Sequence, residues 1–125
     1  MERNIKPTEA EFEILSILWE HGPSSVGQVN EILGKKKEVG YTTTLKMMQI
    51  MTDKGLTQRN TTERKHIYEA AISERKVKEN MLTRFLNAAF NGSASKLVMQ
   101  LLDHEHTTKE ELDEIRSLID KLENQ

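Results

Sequence analysis

The sequence predicts a mainly α fold with one small β-hairpin, and three observations lead there. Apolar residues recur at helical spacing in three short segments before Gly55 and in three more after Ser73. Between these groups the period changes. LTQRN and HIYEA each alternate in part, on either side of the polar, turn-like run TTERK. Residues that start or stop helices bound most of the helical segments.

In chain order, Thr8 and Glu11 stand at capping-box spacing just after Pro7, so a helix begins there. Phe12, Leu15, Leu18 and Trp19 then share a face that Ile14 and Ile17 widen, and His21-Gly22-Pro23 ends it. Ser25 and Gln28 repeat the capping box, and Val26, Val29, Ile32 and Leu33 mark a second short helix ending at Gly34. The run KKKE is a solvated connection. A third helix runs from about Thr42 to Lys54 and is closed by Gly55. Loops this short pack the three helices as one unit. The hairpin that follows lacks an Asn-Gly or Asp-Gly turn and is marginal alone, so it must lean on the helices. Three helices followed by a hairpin is the order of a winged helix-turn-helix domain, here residues 1–72.

Ser73 opens a long helix with Val77, Met81, Phe85 and Phe90 on a broad stripe, stopped by Asn91-Gly92. A short helix around Ala94 to Leu102 carries Leu97, Val98 and Leu101. The last helix starts at Thr108, with Glu111 at capping-box distance, and aligns Leu112, Ile115, Leu118 and Leu122. These helices offer more apolar face than they can hide among themselves. Mutual burial in a two-fold homodimer is the simplest remedy. Residues 73–125 therefore read as a helical dimerisation domain, with Met81, Phe85, Leu97, Leu101, Ile115, Leu118 and Leu122 as the candidate interface.

Composition narrows the function. A charged fraction of 30% beside a hydrophobic fraction of 36% fits solvated amphipathic helices and a core completed by a partner chain. The absence of cysteine excludes disulfides and thiolate metal sites. No apolar run reaches the roughly 18 residues of a membrane span, and MERNIKPTEAE lacks a signal peptide's apolar centre. A cytoplasmic protein without membrane insertion is expected. The net charge of −2 says little, but its distribution says more. Lys35, Lys36, Lys37, Lys46, Lys54, Arg59, Arg64 and Lys65 face only Glu38, Asp53 and Glu63 over the same stretch. Residues 105–114 are acidic, so one end of the chain suits phosphate and the other does not.

The third helix carries the sharpest signal. On a 3.6-residue period Thr44, Leu45, Met48 and Met51 turn inward, leaving Thr42, Thr43, Lys46 and Gln49 on or near the opposite side. The second helix of a helix-turn-helix enters the major groove with its N-terminal residues at base edges. Threonine offers a hydroxyl and a methyl that can pack on thymine, and lysine reaches guanine O6 and N7. Tyr41 and the helix N-terminus can hold a phosphate. Arg64 and Lys65, at the hairpin tip, are candidates for phosphate or minor-groove contact. A threonine at a helix start is also an ordinary N-cap, but three together beside a basic hairpin favour double-stranded DNA.

Pro7 to Tyr68 resembles the penicillinase-repressor family of bacterial transcription regulators. The likeness rests on PTEAEFEILSILWEHGPSSVGQV, then YTTTLKMMQIMTDKGL, then the hairpin, and the helices after Ser73 fit as well. The resemblance implies a homodimeric repressor whose winged helices read a palindromic operator and whose C-terminal helices hold the dimer. It also implies relief of repression by proteolysis in the C-terminal domain, with a membrane sensor-protease as partner. Antibiotic-responsive members are cut at an Asn-Phe bond in the short C-terminal helix, where this chain has Gln100-Leu101. Copper-responsive members carry a C-terminal cysteine motif that is missing here. Ile50 stands where relatives often carry a basic residue.

No catalytic constellation is apparent. His104 and His106 with Asp103 and Glu105 read as an exposed loop rather than a closed metal site. No phosphate-cradling glycine loop or nucleophile motif occurs, so neither an enzyme nor a bound metal or cofactor is expected. Two other functions fit the same chain: a winged-helix protein-interaction module, and a ligand-sensing regulator with a pocket between its domains.

Overall fold

The computed structural model describes residues 6–61, 66–103 and 107–125. In chain order its elements are α1 (Glu9–His21), β1 (Ser24–Ser25), α2 (Val26–Gly34), α3 (Tyr41–Asp53), β2 (Thr57–Asn60), β3 (Ile67–Ala70), α4 (Glu74–Phe90), α5 (Ala94–Asp103) and α6 (Lys109–Glu123). Both capping boxes form as the spacing predicts. The Thr8 hydroxyl accepts from the Glu11 N–H at 3.1 Å while the Glu11 carboxylate accepts from the Thr8 N–H at 2.9 Å. Ser25 and Gln28 do the same at 3.2 and 2.8 Å. At α6 only half of the expected box is made, the Thr108 hydroxyl accepting from the Glu111 N–H at 3.1 Å.

The end of α3 shows why Gly55 stands there. The Leu56 N–H donates to the Met51 carbonyl at 2.9 Å, and the Gly55 N–H to the Thr52 carbonyl at 3.1 Å. This pair of bonds is a Schellman motif, and it needs the left-handed φ of 84° that Gly55 adopts without a Cβ clash.

The chain divides into two compact units, Met1–Met81 and Leu82–Gln125, with the division inside α4. In the first unit α1, α2 and α3 bury Ile14, Leu15, Leu18, Val29, Leu33, Met48 and Met51 against Leu56 and Tyr68 of the sheet region. The helical period places Phe12 and Trp19 on the core face of α1. They lie at its edge instead, half-buried in an edge-to-face pair 5.8 Å apart, and the Trp19 indole N–H donates to the Ile72 carbonyl at 3.1 Å.

The sheet is larger than the expected hairpin. Its order is β1-β3-β2, all antiparallel, and Tyr68 of β3 pairs with Ser24 on one side and Arg59 on the other. β1 is two serines long and has no apolar alternation, so only its pairing partner makes it a strand.

In the second unit no residue of α5 or α6 is buried. Phe85, Leu101, Leu118 and Leu122 are exposed in the single chain, Met81 at the end of the first unit is exposed too, and Leu97 and Ile115 are half-buried. No helix among the described residues is long and apolar enough to cross a membrane.

Candidate nucleic-acid interface

α3 has one dry face and one wet face. Thr44, Met48 and Met51 are fully buried, with Leu45 and Met47 partly buried beside them. Tyr41, Thr42, Thr43, Lys46, Gln49 and Ile50 are exposed. The inward and outward sets therefore fall as the helical period predicts, with Ile50 added to the outer one.

Two polar devices hold α3 in place. At its start, Asn30 of α2 turns its carboxamide NH2 toward the incoming backbone. Its two N–H hydrogens are shared among the carbonyls of Val39 at 3.1 Å and Gly40 at 3.3 Å and the Thr44 hydroxyl at 2.7 Å. The opposite amide orientation would set an oxygen against two carbonyl oxygens. Thr44 is thus a buried hydroxyl with its partner supplied, as a buried polar group requires. At the far end, the Lys54 ammonium donates to the Glu11 carboxylate of α1 at 2.9 Å. Burial raises the Glu11 pKa, but the Thr8 backbone N–H and the Lys54 charge outweigh it and hold the carboxyl below its ordinary value.

The first turn of α3 is also distinctive. Each of the other five helices has a hydroxyl at its start, from Thr8, Ser25, Ser73, Ser93 or Thr108, that accepts a backbone N–H. α3 starts at Gly40, which has no side-chain cap. No side chain among the described residues caps its leading N–H groups, which lie beside the exposed Tyr41 at the positive end of the helix dipole.

The basic stretch is less uniform than its composition suggests. Lys37 pairs with Glu13 at 3.1 Å and Lys54 with Glu11, so both cations serve the fold. Lys46 on α3 and Arg59 on β2 have no ion-pair partner among the described residues. Arg64 and Lys65 lie outside the described residues, as do His104, Glu105 and His106. Among the described residues no cluster of His, Asp and Glu could hold a metal ion.

Sequence reasoning missed Asn30 and the Glu11–Lys54 pair. The signal for Asn30 was Thr44 itself, since a threonine on a buried face demands a partner. Nothing in the sequence marks Lys54 as the partner of a residue 43 positions away.

Comparison with known proteins agrees with this architecture. A family model described as Penicillinase repressor matches residues 7–121. The penicillinase repressor of Bacillus licheniformis is 24% identical over 117 residues, spanning 94% of this chain and 91% of its own. Among solved structures, the Bacillus licheniformis BlaI monomer in complex with the blaP half-operator aligns with a TM-score of 0.51 at 23% identity, over 59% of this chain and 90% of that one. A MarR family protein from Bacillus stearothermophilus aligns with a TM-score of 0.56 at 23% identity, over 97% and 76%. The structural likenesses establish a winged-helix fold, and the match across nearly the whole length establishes the lineage: the chain belongs to the penicillinase repressor family, whose members are transcriptional repressors and not enzymes.

Proposed function

We propose that this protein is a sequence-specific DNA-binding repressor that occupies a palindromic operator as a homodimer in the cytoplasm. Residues 1–72 supply the DNA-binding domain and residues 73–125 the dimer contact. The observation that carries the reading is the outer face of α3, where Thr42, Thr43, Lys46 and Gln49 stand exposed on a helix whose other face buries Thr44, Met48 and Met51. Such a face offers hydroxyls, a methyl pair, a cation and an amide to base edges, from a helix pinned at both ends. The uncapped N–H groups in the first turn of α3 and the hydroxyl of Tyr41 would hold phosphate. Arg64 and Lys65 would add phosphate or minor-groove contacts from the wing.

The dimer is supported by the exposed Met81, Phe85, Leu101, Leu118 and Leu122 and the half-buried Leu97 and Ile115. An apolar surface of this extent on isolated helices marks an interface. Relief of repression is assigned to proteolysis in the C-terminal domain by a membrane sensor-protease, with Gln100–Leu101 of α5 as the candidate bond. Both residues are exposed in the single chain, but Leu101 is also assigned to the dimer contact, so cleavage requires α5 to leave the partner first.

Selection from a pool of random duplexes tests the reading. A repressor of this kind recovers one palindrome whose half-sites lie about one helical turn, or a multiple of it, apart. Recovery of no consensus would favour a protein-interaction module instead.

A further inference from the structure

We propose that Ile50 is a specificity-determining residue that packs against a thymine C5-methyl group in the major groove. A recognised half-site then carries thymine beneath the third turn of α3. The inference rests on the DNA-reading role of α3 and adds the base that this flank selects.

Among the described residues before Met81, the only exposed large hydrophobics are Tyr41 and Ile50, both on α3. Tyr41 has a hydroxyl that is satisfied in water or on a phosphate. Ile50 has no polar atom, yet stands 41% exposed beside the fully buried Met51. A lone exposed isoleucine needs no explanation in general. Its position here supplies one. Ile50 lies four residues beyond Lys46 and seven beyond Thr43, so the three share the outer face, with Thr43 and Ile50 on the same flank of the lysine. Two turns of helix cover roughly 10 Å, or about three base pairs, and the base-reading residues of a major-groove helix spread over a similar length.

The chemistry of the groove leaves Ile50 one partner. It cannot accept from cytosine N4–H, nor donate to guanine O6 or N7, and pressing it against those groups would dry them without a replacement bond. The thymine methyl is the one apolar group that a base pair presents in the major groove. Thr43 can offer its own methyl to a neighbouring thymine, which makes this flank a methyl-reading edge while Lys46 and Gln49 handle hydrogen-bonding bases.

The test uses the full-length protein and the duplex recovered by selection from the random pool. Each thymine is replaced in turn by deoxyuridine, which removes the methyl and leaves every hydrogen-bonding group. Wild type and Ile50→Ala are compared by fluorescence anisotropy, with circular dichroism to establish that the variant is folded. The expected result is one thymine position in each half-site whose replacement weakens wild-type binding roughly fourfold, the effect of losing one methyl-sized contact, and has no effect on Ile50→Ala. Deoxyuridine penalties that are the same in both proteins at every thymine, or absent from both, overturn the role of Ile50 and leave the repressor reading standing. Failure of the wild type to recover any duplex overturns the repressor reading and this inference together.

Discussion

Glu11 and Lys54 meet at 2.9 Å, joining the first turn of α1 to the end of α3. The Glu11 carboxylate is almost wholly buried, and its other oxygen accepts from the Thr8 N–H. One carboxylate therefore caps one helix and fixes the exit of another, the helix whose outer face is assigned to DNA. Lys54 remains half in solvent, so the pair is stronger as a positioning device than as a source of stability.

A pH dependence follows from that geometry. The folded Glu11 carboxyl titrates below its ordinary value, so the unfolded chain binds more protons as pH falls. The stabilisation is fully present above the ordinary carboxylate value of about 4.3 and is lost as pH drops through the lower folded value. Urea denaturation should show wild type more stable than Glu11→Gln at pH 7, with the difference shrinking as pH falls below that range. A difference independent of pH would show that the charge on Glu11 contributes nothing.

The Asn30–Thr44 contact should behave as a unit. Asn30→Leu leaves the Val39 and Gly40 carbonyls and the Thr44 hydroxyl without their donor, at a cost of about 1–3 kcal/mol by denaturant unfolding. Thr44→Val should cost less when added to Asn30→Leu than when made alone, because the shared bond is already lost. Strict additivity of the two would remove the contact from the account of how α3 is seated.

On the outer face, Lys46→Ala should lose about 1–3 kcal/mol on the operator and far less on a scrambled duplex, as a bidentate base contact requires. Equal losses on both duplexes would make Lys46 a phosphate contact.

In the C-terminal helices, Leu118→Asp or Phe85→Asp would place a charge in the proposed interface. Sedimentation should find the dimer dissociated, and operator affinity should fall with it, since linked modules bind at high effective concentration. A dimer that survives either change would move the interface off this surface.

Much of the first unit was legible because local rules and burial agree. The Thr8–Glu11 and Ser25–Gln28 boxes, the Gly55 stop and the inward set of Thr44, Met48 and Met51 all follow from spacing over a few residues. What spacing could not supply were pairings across the fold. β1 is a strand only because Tyr68 lies beside Ser24, and Asn30 matters only because α2 crosses the start of α3. The basic stretch is divided in the same way. Lys37 and Lys54 count toward a phosphate-facing surface in composition, but the fold sets each against a carboxylate of α1. Of the outer face, Thr42, Thr43, Lys46 and Gln49 were readable from period alone. Ile50 stood out in sequence only as a departure from its relatives, and its exposure gives it a place on that face.

The most direct measurement is a fluorescence-anisotropy titration of full-length protein against the selected operator duplex and a scrambled duplex of equal length, at two salt concentrations. The expected result is operator binding at least about a thousandfold tighter than scrambled. Both affinities should fall with salt by roughly 0.9 log unit per log unit for each phosphate contact. Equal, weak binding to the two duplexes, or an affinity indifferent to salt, would contradict the assignment of α3 as a DNA-reading helix.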